Sequence, residues 1–272
     1  MKNFKLSLTG YAVALAMLGT ANMSEASVAD KVLNVGCEGA FAPFTYVDDQ
    51  GKITGFDIDL IRALGEDLGY KVNVTVFPFD GLIPALLTDG IDVIISGFTI
   101  SPERAKKVDF SDPYYLCGLT YLTPAQNAER LKDFRSLDGE KLCVQIGTTG
   151  ALFATKHFKN SEIVQFNSPP ETYLELNKGG CSAVINDMPV NDFYLSRHKG
   201  DALASLHIDK DIDKEYYGIA VSKNHPEMLK EMNRGLKIVR ENGHFAEISE
   251  RWFGYDIILT GNNLLSGNIS RT

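Results

Sequence analysis

Beyond residue 26 no stretch approaches the ~18 apolar residues that a membrane-spanning helix needs. Basic residues are outnumbered as well: 27 Lys and Arg stand against 35 Asp and Glu, a formal net charge of −8, which argues against nucleic acid as a partner. Cysteine is sparse, and Cys37, Cys117, Cys143 and Cys181 never fall in a CxxC spacing, so neither a redox motif nor a zinc site is expected. His157, His198, His207, His225 and His244 show no metal-ligand spacing. No metal, cofactor or catalytic residue is therefore assigned. No internal repeat points to a solenoid. The single tryptophan, Trp252, is assigned to the core side of a C-terminal helix.

What is present begins with an N-terminal address. Lys2 and Lys5 form a basic start, Leu6 to Leu18 is mostly apolar, and Ser24-Glu25-Ala26 is a small-x-small cleavage site. Residues 1–26 read as a secretory signal peptide, and no cysteine near the cleavage point suggests a lipid anchor. The remaining chain, from a sequence 44% hydrophobic, is long enough for one large or two modest cores.

Strand and helix patterns then alternate. Lys31–Gly36 reads as a strand, Phe56–Leu68 as a helix closed by Gly69, Lys71–Phe77 as a strand, Gly81–Leu87 as a helix and Ile91–Ile95 as a buried strand. The rhythm returns with strands Lys141–Ile146, Glu162–Phe166 and Cys181–Ile185, and helices Gly150–Phe158, Pro170–Lys178 and Met188–His198. Between the two blocks, Thr123–Asp138 reads as a polar connection. After the charged stretch DKDIDKE come a strand-like run Tyr216–Val221, a long helix faced by Leu229, Met232, Leu236 and Val239, and a short helix carrying Phe245, Ile248 and Trp252. Such alternation predicts an α/β protein: two doubly wound blocks, parallel sheets with helices on both faces.

Doubly wound sheets bind ligands beyond the carboxyl ends of their strands, where the strand order reverses. The residues at those ends share a chemical theme. Ser96, Thr99, Thr148 and Thr149 offer hydroxyls, and Gly97 and Gly147 let backbone N–H groups approach closely. Arg104 supplies a fork for a carboxylate, Asp187 an anion, and Phe41 and Phe79 flat apolar walls. One cation, one anion and two aromatic walls suit a zwitterion, a free α-amino acid. Arg104 within PERAKK also reads as a solvated helix-start charge, and Asp187 as the N-cap of the helix from Met188.

The stretches FAPFTYVDDQGKITGFDIDL, FDGLIPALLTDGIDVIISGFTISPERAKKVDFSDPYY, QIGTTG, INDMPV, YYGIAVSKN and NGHFAEISERWFG follow one another from about residue 31 to 254. In that order the chain resembles the periplasmic amino-acid-binding proteins of ABC importers, the polar-amino-acid (family 3) solute-binding proteins. The resemblance implies a type II periplasmic-binding-protein fold: two α/β lobes, a two-strand hinge and a ligand cleft between them. It puts lobe one at 27–117 plus 217–272, lobe two at 118–216, and hinge crossings near 116–122 and 209–217. It also implies a periplasmic monomer whose partners are a free amino acid and an inner-membrane ABC permease.

Carried over by motif, Arg104 pairs the α-carboxylate with help from Thr99 and the Thr149 N–H. Asp187, with a carbonyl of Ser96 or Gly97, takes the ammonium. Phe41 and Phe79 pack on the ligand side chain, and Glu38 faces its far end, with Gln145 and Asn186 nearby. A carboxylate at the far end favours a cationic ligand, arginine first, then lysine, ornithine or histidine. Glutamine or another polar neutral amino acid is the alternative, because Gln145 and Asn186 suit an amide. Exported cyclohexadienyl (prephenate/arogenate) dehydratases share this fold and are the remote enzymatic alternative. They carry a Glu shortly after the position of Asp187, and Asn186-Asp187-Met188-Pro189-Val190-Asn191 contains none. The implied lobes confine any disulfide to one side of the cleft, which leaves Cys143–Cys181, favoured because it joins two strands of one sheet, and Cys37–Cys117, or thiols left reduced.

Overall fold

The computed structural model describes residues 31–208 and 214–257. The expected signal peptide, the segment 209–213 of the second expected hinge crossing, and the tail from 258 lie outside the described residues.

The first lobe opens with β1 (Lys31–Cys37), then a small antiparallel ribbon of β2 (Ala40–Phe41), β3 (Thr45–Val47) and β4 (Ile53–Thr54). Helix α1 (Phe56–Leu68) buries Phe56, Leu60, Ile61, Leu64 and Leu68 at three- and four-residue spacing. It stops at Gly69, whose φ of 77° is left-handed and suits glycine. β5 (Tyr70–Val76), α2 (Leu82–Leu87), β6 (Val93–Ile94), the single turn α3 (Pro102–Ala105), β7 (Val108–Phe110) and β8 (Tyr115–Cys117) follow.

The second lobe runs from β9 (Leu119–Pro124) through β10 (Lys141–Gln145), α4 (Thr149–His157), β11 (Glu162–Phe166), α5 (Pro169–Asn177), β12 (Ala183–Asp187), α6 (Met188–Arg197) and β13 (Leu203–His207). The chain returns through β14 (Glu215–Tyr217) to β15 (Ala220–Ser222), α7 (Pro226–Glu241) and α8 (His244–Phe253), which pack on the first lobe.

Strand order is β5-β1-β6-β15-β7 in one sheet and β11-β10-β12-β9-β13 in the other. In each, the first parallel strand lies between the next two, so the order reverses at β1 and at β10. The alternation predicts parallel sheets, and the structure corrects this: neither sheet is parallel throughout. β15 runs antiparallel to β6 and β7, and β9 antiparallel to β12 and β13. The cause is connectivity. β9 follows β8 after one residue and β15 follows β14 after two, so no helical crossover turns either strand around. The run Tyr216–Val221 is accordingly two strands rather than one. Thr123–Asp138 is not a mere connection either. Thr123 belongs to β9, and Leu131, Phe134 and Leu137 are buried in the second lobe's core.

β8 and β14 pair antiparallel, with Cys117 opposite Glu215 and Tyr115 opposite Tyr217. The chain thus passes between the two sheets twice, through this one ribbon. The core of the first lobe is aromatic: fully buried Phe44 meets the rings of Tyr115 and Tyr217 edge-on at 4.9 and 5.0 Å. Full burial of a side chain such as Leu64 contributes about 1.5–3 kcal/mol. Helices α1 and α7 approach so closely that a Cβ on Gly235 would lie 2.4 Å from the Leu64 side chain. In the second lobe Cys143 and Cys181 form a disulfide with Cα atoms 6.1 Å apart, whereas Cys37 and Cys117 are buried thiols.

Candidate functional site

The strand ends at the two reversals meet. Glu38 follows β1 and Ser96-Gly97 follow β6, while Gly147-Thr148 follow β10 and Asn186-Asp187 close β12. Hydrogen bonds cross the cleft from one set to the other. Gln145 Nε2 donates to Glu38 Oε1 (2.8 Å), and an Arg104 NH2 donates to the Gly147 carbonyl (3.1 Å).

Arg104 is placed by the short turn α3. Ser101 caps it by accepting the Arg104 N–H (3.2 Å), and Pro102 stands at its first position, where no N–H is missed. Arg104 is only 8% exposed, so the solvated helix-start reading does not hold. Its guanidinium lies 4.2 Å from the Phe98 ring centroid and 5.2 Å from that of Phe79, and donates to the Thr99 carbonyl (2.9 Å). Burial lowers its pKa to about 10, still a cation at neutral pH. Two of its five N–H groups are committed to carbonyls by these bonds.

Glu38 is 4% exposed. Its N–H donates to Ser96 Oγ (2.9 Å), which also meets Thr45 Oγ1 (3.3 Å). Its Oε1 takes the Gln145 amide, but its Oε2 has no hydrogen-bond partner among the described residues, and neither has Gln145 Oε1. Desolvation raises the Glu38 carboxyl to about 7 despite the Gln145 bond. A buried acceptor left unsatisfied costs roughly 1–3 kcal/mol, which a donor arriving in the cleft would recover.

Asp187 sits at the N-terminus of α6, yet its side chain makes no capping bond. It instead accepts the hydroxyl of the fully buried Tyr217, and burial raises its pKa to about 6. Beside it lies Glu215, whose Oε2 accepts from Thr99 Oγ1 (3.0 Å) of the first lobe and Thr149 Oγ1 (2.9 Å) of the second. Burial, then the Asp187 charge, lifts the Glu215 carboxyl to about 7. Cys117 Sγ and one carboxylate oxygen each of Asp187 and Glu215 lie within 4.8 Å of one another. That set is the geometric candidate for a cation, but both carboxylates already accept hydrogen bonds from the protein.

The other expected residues are placed as follows. Gly97 has φ of 51°, and a Cβ there would stand 2.5 Å from the Phe41 ring; its N–H donates to Asp57 Oδ2 (2.6 Å). Phe41 is buried in the first lobe's core at 3% exposure, and Phe79 lies against Phe98 and Arg104. Thr148 caps α4, accepting from the Ala151 N–H (3.1 Å). Asn186 donates to the Tyr173 hydroxyl (3.0 Å) rather than standing unengaged. Sequence reasoning passed over Asp57, which is fully buried and also accepts from Tyr114, along with Tyr173, Glu215 and Tyr217. Strand alternation was the available signal for Tyr217 alone, because the strand-like run read from the sequence starts at Tyr216 and stops short of Glu215.

A family model described as bacterial extracellular solute-binding proteins, family 3, matches residues 33–255. The L-cystine-binding protein TcyJ of Escherichia coli K12 is 30% identical over 253 residues, 89% of this chain and 94% of that one. The L-arginine-binding protein of Pseudomonas aeruginosa PAO1 is 32% identical over 261 residues, 93% and 98% of the two chains. Among solved structures, the arginine-, lysine-, histidine-binding protein ArtJ of Geobacillus stearothermophilus superposes with a TM-score of 0.80 at 34% identity, covering 86% of this chain and 99% of its own. An ancestral arginine-binding protein bound to arginine gives 0.79 at 37% identity over 82% and 98%, and one bound to glutamine gives 0.78 with the same identity and coverage. The ancestral amino acid-binding protein AncCDT-1, a precursor of cyclohexadienyl dehydratase, gives 0.75 at 38% over 82% and 95%.

Proposed function

The chain belongs to the bacterial extracellular solute-binding proteins of family 3, and on that premise we propose that it is the ligand-binding component of an amino-acid ABC importer, taking a cationic L-amino acid with arginine first. It works in the periplasm as a monomer, closes on one ligand and delivers it to an inner-membrane permease. The observation that carries the ligand class is Glu38: a buried carboxylate whose Oε2 lacks a donor is best satisfied by a guanidinium or ammonium. In this reading Arg104 holds the α-carboxylate, with Thr99 and the Thr149 N–H beside it. Asp187 and a carbonyl of Ser96 or Gly97 hold the α-ammonium, and Phe41 and Phe79 flank the stem. Relatives and neighbours that bind arginine, lysine or histidine support the ranking.

Glutamine is the second reading, favoured by one atom: Gln145 Oε1 also lacks a partner and suits an amide donor. We assign no enzymatic activity; turnover of prephenate would overturn that assignment. A thermal-shift screen over the twenty amino acids tests the ligand class. The largest stabilisation should come from arginine or lysine. Stabilisation by glutamate or leucine alone would reject a cationic ligand.

A further inference from the structure

The amino-acid reading gives Glu215 no task, yet Glu215 holds a central position. Its Oε2 accepts one hydroxyl from each lobe, Thr99 Oγ1 at 3.0 Å and Thr149 Oγ1 at 2.9 Å. Those two residues flank the place where that reading seats the ligand's α-carboxylate. Two carboxylates then converge on the same donors. The groups facing Glu215 are Arg104 from α3, Asp187 from the end of β12, Cys117 across the β8–β14 ribbon and, on its own strand, Tyr217. Arg104 is the cation of this group, and the ligand claims it. Asp187 is a further anion, and the Cys117 thiol and Tyr217 hydroxyl bring no positive charge. Two ionised carboxylates at contact distance in a buried site repel strongly, whereas a pair that shares one proton forms a short charge-assisted hydrogen bond.

We propose that Glu215 is a ligand-site residue: it takes up one proton from solvent as the α-carboxylate enters, and donates it in a hydrogen bond to that carboxylate. The step makes and breaks no covalent bond other than the transferred O–H. It rests on the amino-acid reading. Its geometry is independent of Glu38 and of the identity of the ligand side chain. Burial has already lifted the Glu215 carboxyl to about 7, part of the way to the acid form, and the entering carboxylate supplies the rest. Glu38 works with the opposite sign: pairing with a cationic end favours its ionised form and releases a proton. At pH 8, above the value of about 7 for each, Glu38 is already ionised and has little to release, while Glu215 still has a proton to gain.

The test is calorimetric titration with arginine at pH 8 in phosphate and in Tris, whose ionisation enthalpies differ, on the full chain and on Glu215→Gln. The wild-type protein should take up close to one proton per ligand, and its affinity should fall nearly tenfold per pH unit above pH 8. Glu215→Gln should lose most of the uptake and show a shallower profile, set by the ligand's own α-amino group. The ligand's own α-amino group contributes equally to both proteins and cancels in the difference. Arginine binding by wild type without uptake overturns the proton step and leaves the amino-acid reading standing. Equal uptake in the two proteins does the same. Failure of all twenty amino acids to bind wild type removes both.

Discussion

The first lobe is filled by rings and the second is stapled by sulfur. Phe44, Phe56, Tyr114, Tyr115, Tyr217, Phe245 and Phe253 come together in the first from segments far apart in the chain, including the returning α8. The second lobe is cut from one continuous stretch, and its smaller core around Tyr173 and Leu176 contains the Cys143–Cys181 bond. A small core that few distant segments reach gains most from a covalent closure, because less apolar area is available to offset the chain entropy. The lobes differ in charge as well. The first brings Arg104 against Phe98, on a buried frame tied by Asp57; the second brings Asp187 and Thr149 at helix N-termini.

Removing the first lobe's cation should have the largest effect. Arg104→Ala should cost about 2–5 kcal/mol of ligand binding, the usual penalty for stranding a buried charge partner. Arg104→Lys should also lose much of it, since a point charge replaces a fork. Titration calorimetry reads both, and wild-type affinity in Arg104→Ala would move ligand recognition to the second lobe. Next comes the staple. A closed loop of 38 residues corresponds to about 4 kcal/mol in the chain-entropy model, with measured values typically ~2–4. Reducing the disulfide, or making Cys143→Ala/Cys181→Ala, should therefore separate one melting transition into two, the second lobe melting earlier. A single transition at an unchanged temperature would refute the division of labour between rings and sulfur.

A smaller loss should follow from Gly235→Ala. The added methyl meets Leu64, and overpacking of this kind costs roughly 1–3 kcal/mol. Here the first lobe's transition should shift and the second's stay. The last effect is read against pH rather than at one pH, and concerns Asp57. Burial holds its carboxyl at about 7 in the fold, against about 3.9 in the unfolded chain. The folded form therefore keeps the proton longer. Its contribution to stability is full below about pH 4 and is lost as pH rises through about 7. Melts of ligand-free Asp57→Asn between pH 4 and 8 should show a shallower decline than wild type; parallel curves would mean that Asp57 stays ionised in the fold.

Much of this architecture was legible because period and punctuation agreed. The strand ends at Glu38, Ser96, Gly147 and Asp187 follow from short apolar runs stopping at polar residues, and Arg104 and Asp187 from motifs around them. Glu215 was hidden in DKDIDKE, where charge density mimics a solvated loop; only its pairing opposite Cys117 turns it inward. The mixed sheets were hidden for a related reason, since nothing local in Leu119–Pro124 or Ala220–Ser222 records which way the neighbouring strand runs. Leu131, Phe134 and Leu137 were masked by the charges between them.

The double passage of the chain through one ribbon also decides how motion can be observed by light. The described chain enters at Lys31 in β1 and leaves at Ile257, and both belong to the first lobe. Fluorophores on those two positions would ride together and stay silent during closure. A donor on Val47 of β3 and an acceptor on Leu174 of α5, exposed by 45% and 54%, would sit on opposite sides of the cleft and change their energy transfer. Cysteines introduced there would be labelled selectively, since Cys37 and Cys117 are buried and the Cys37 thiol is pushed up to about 12.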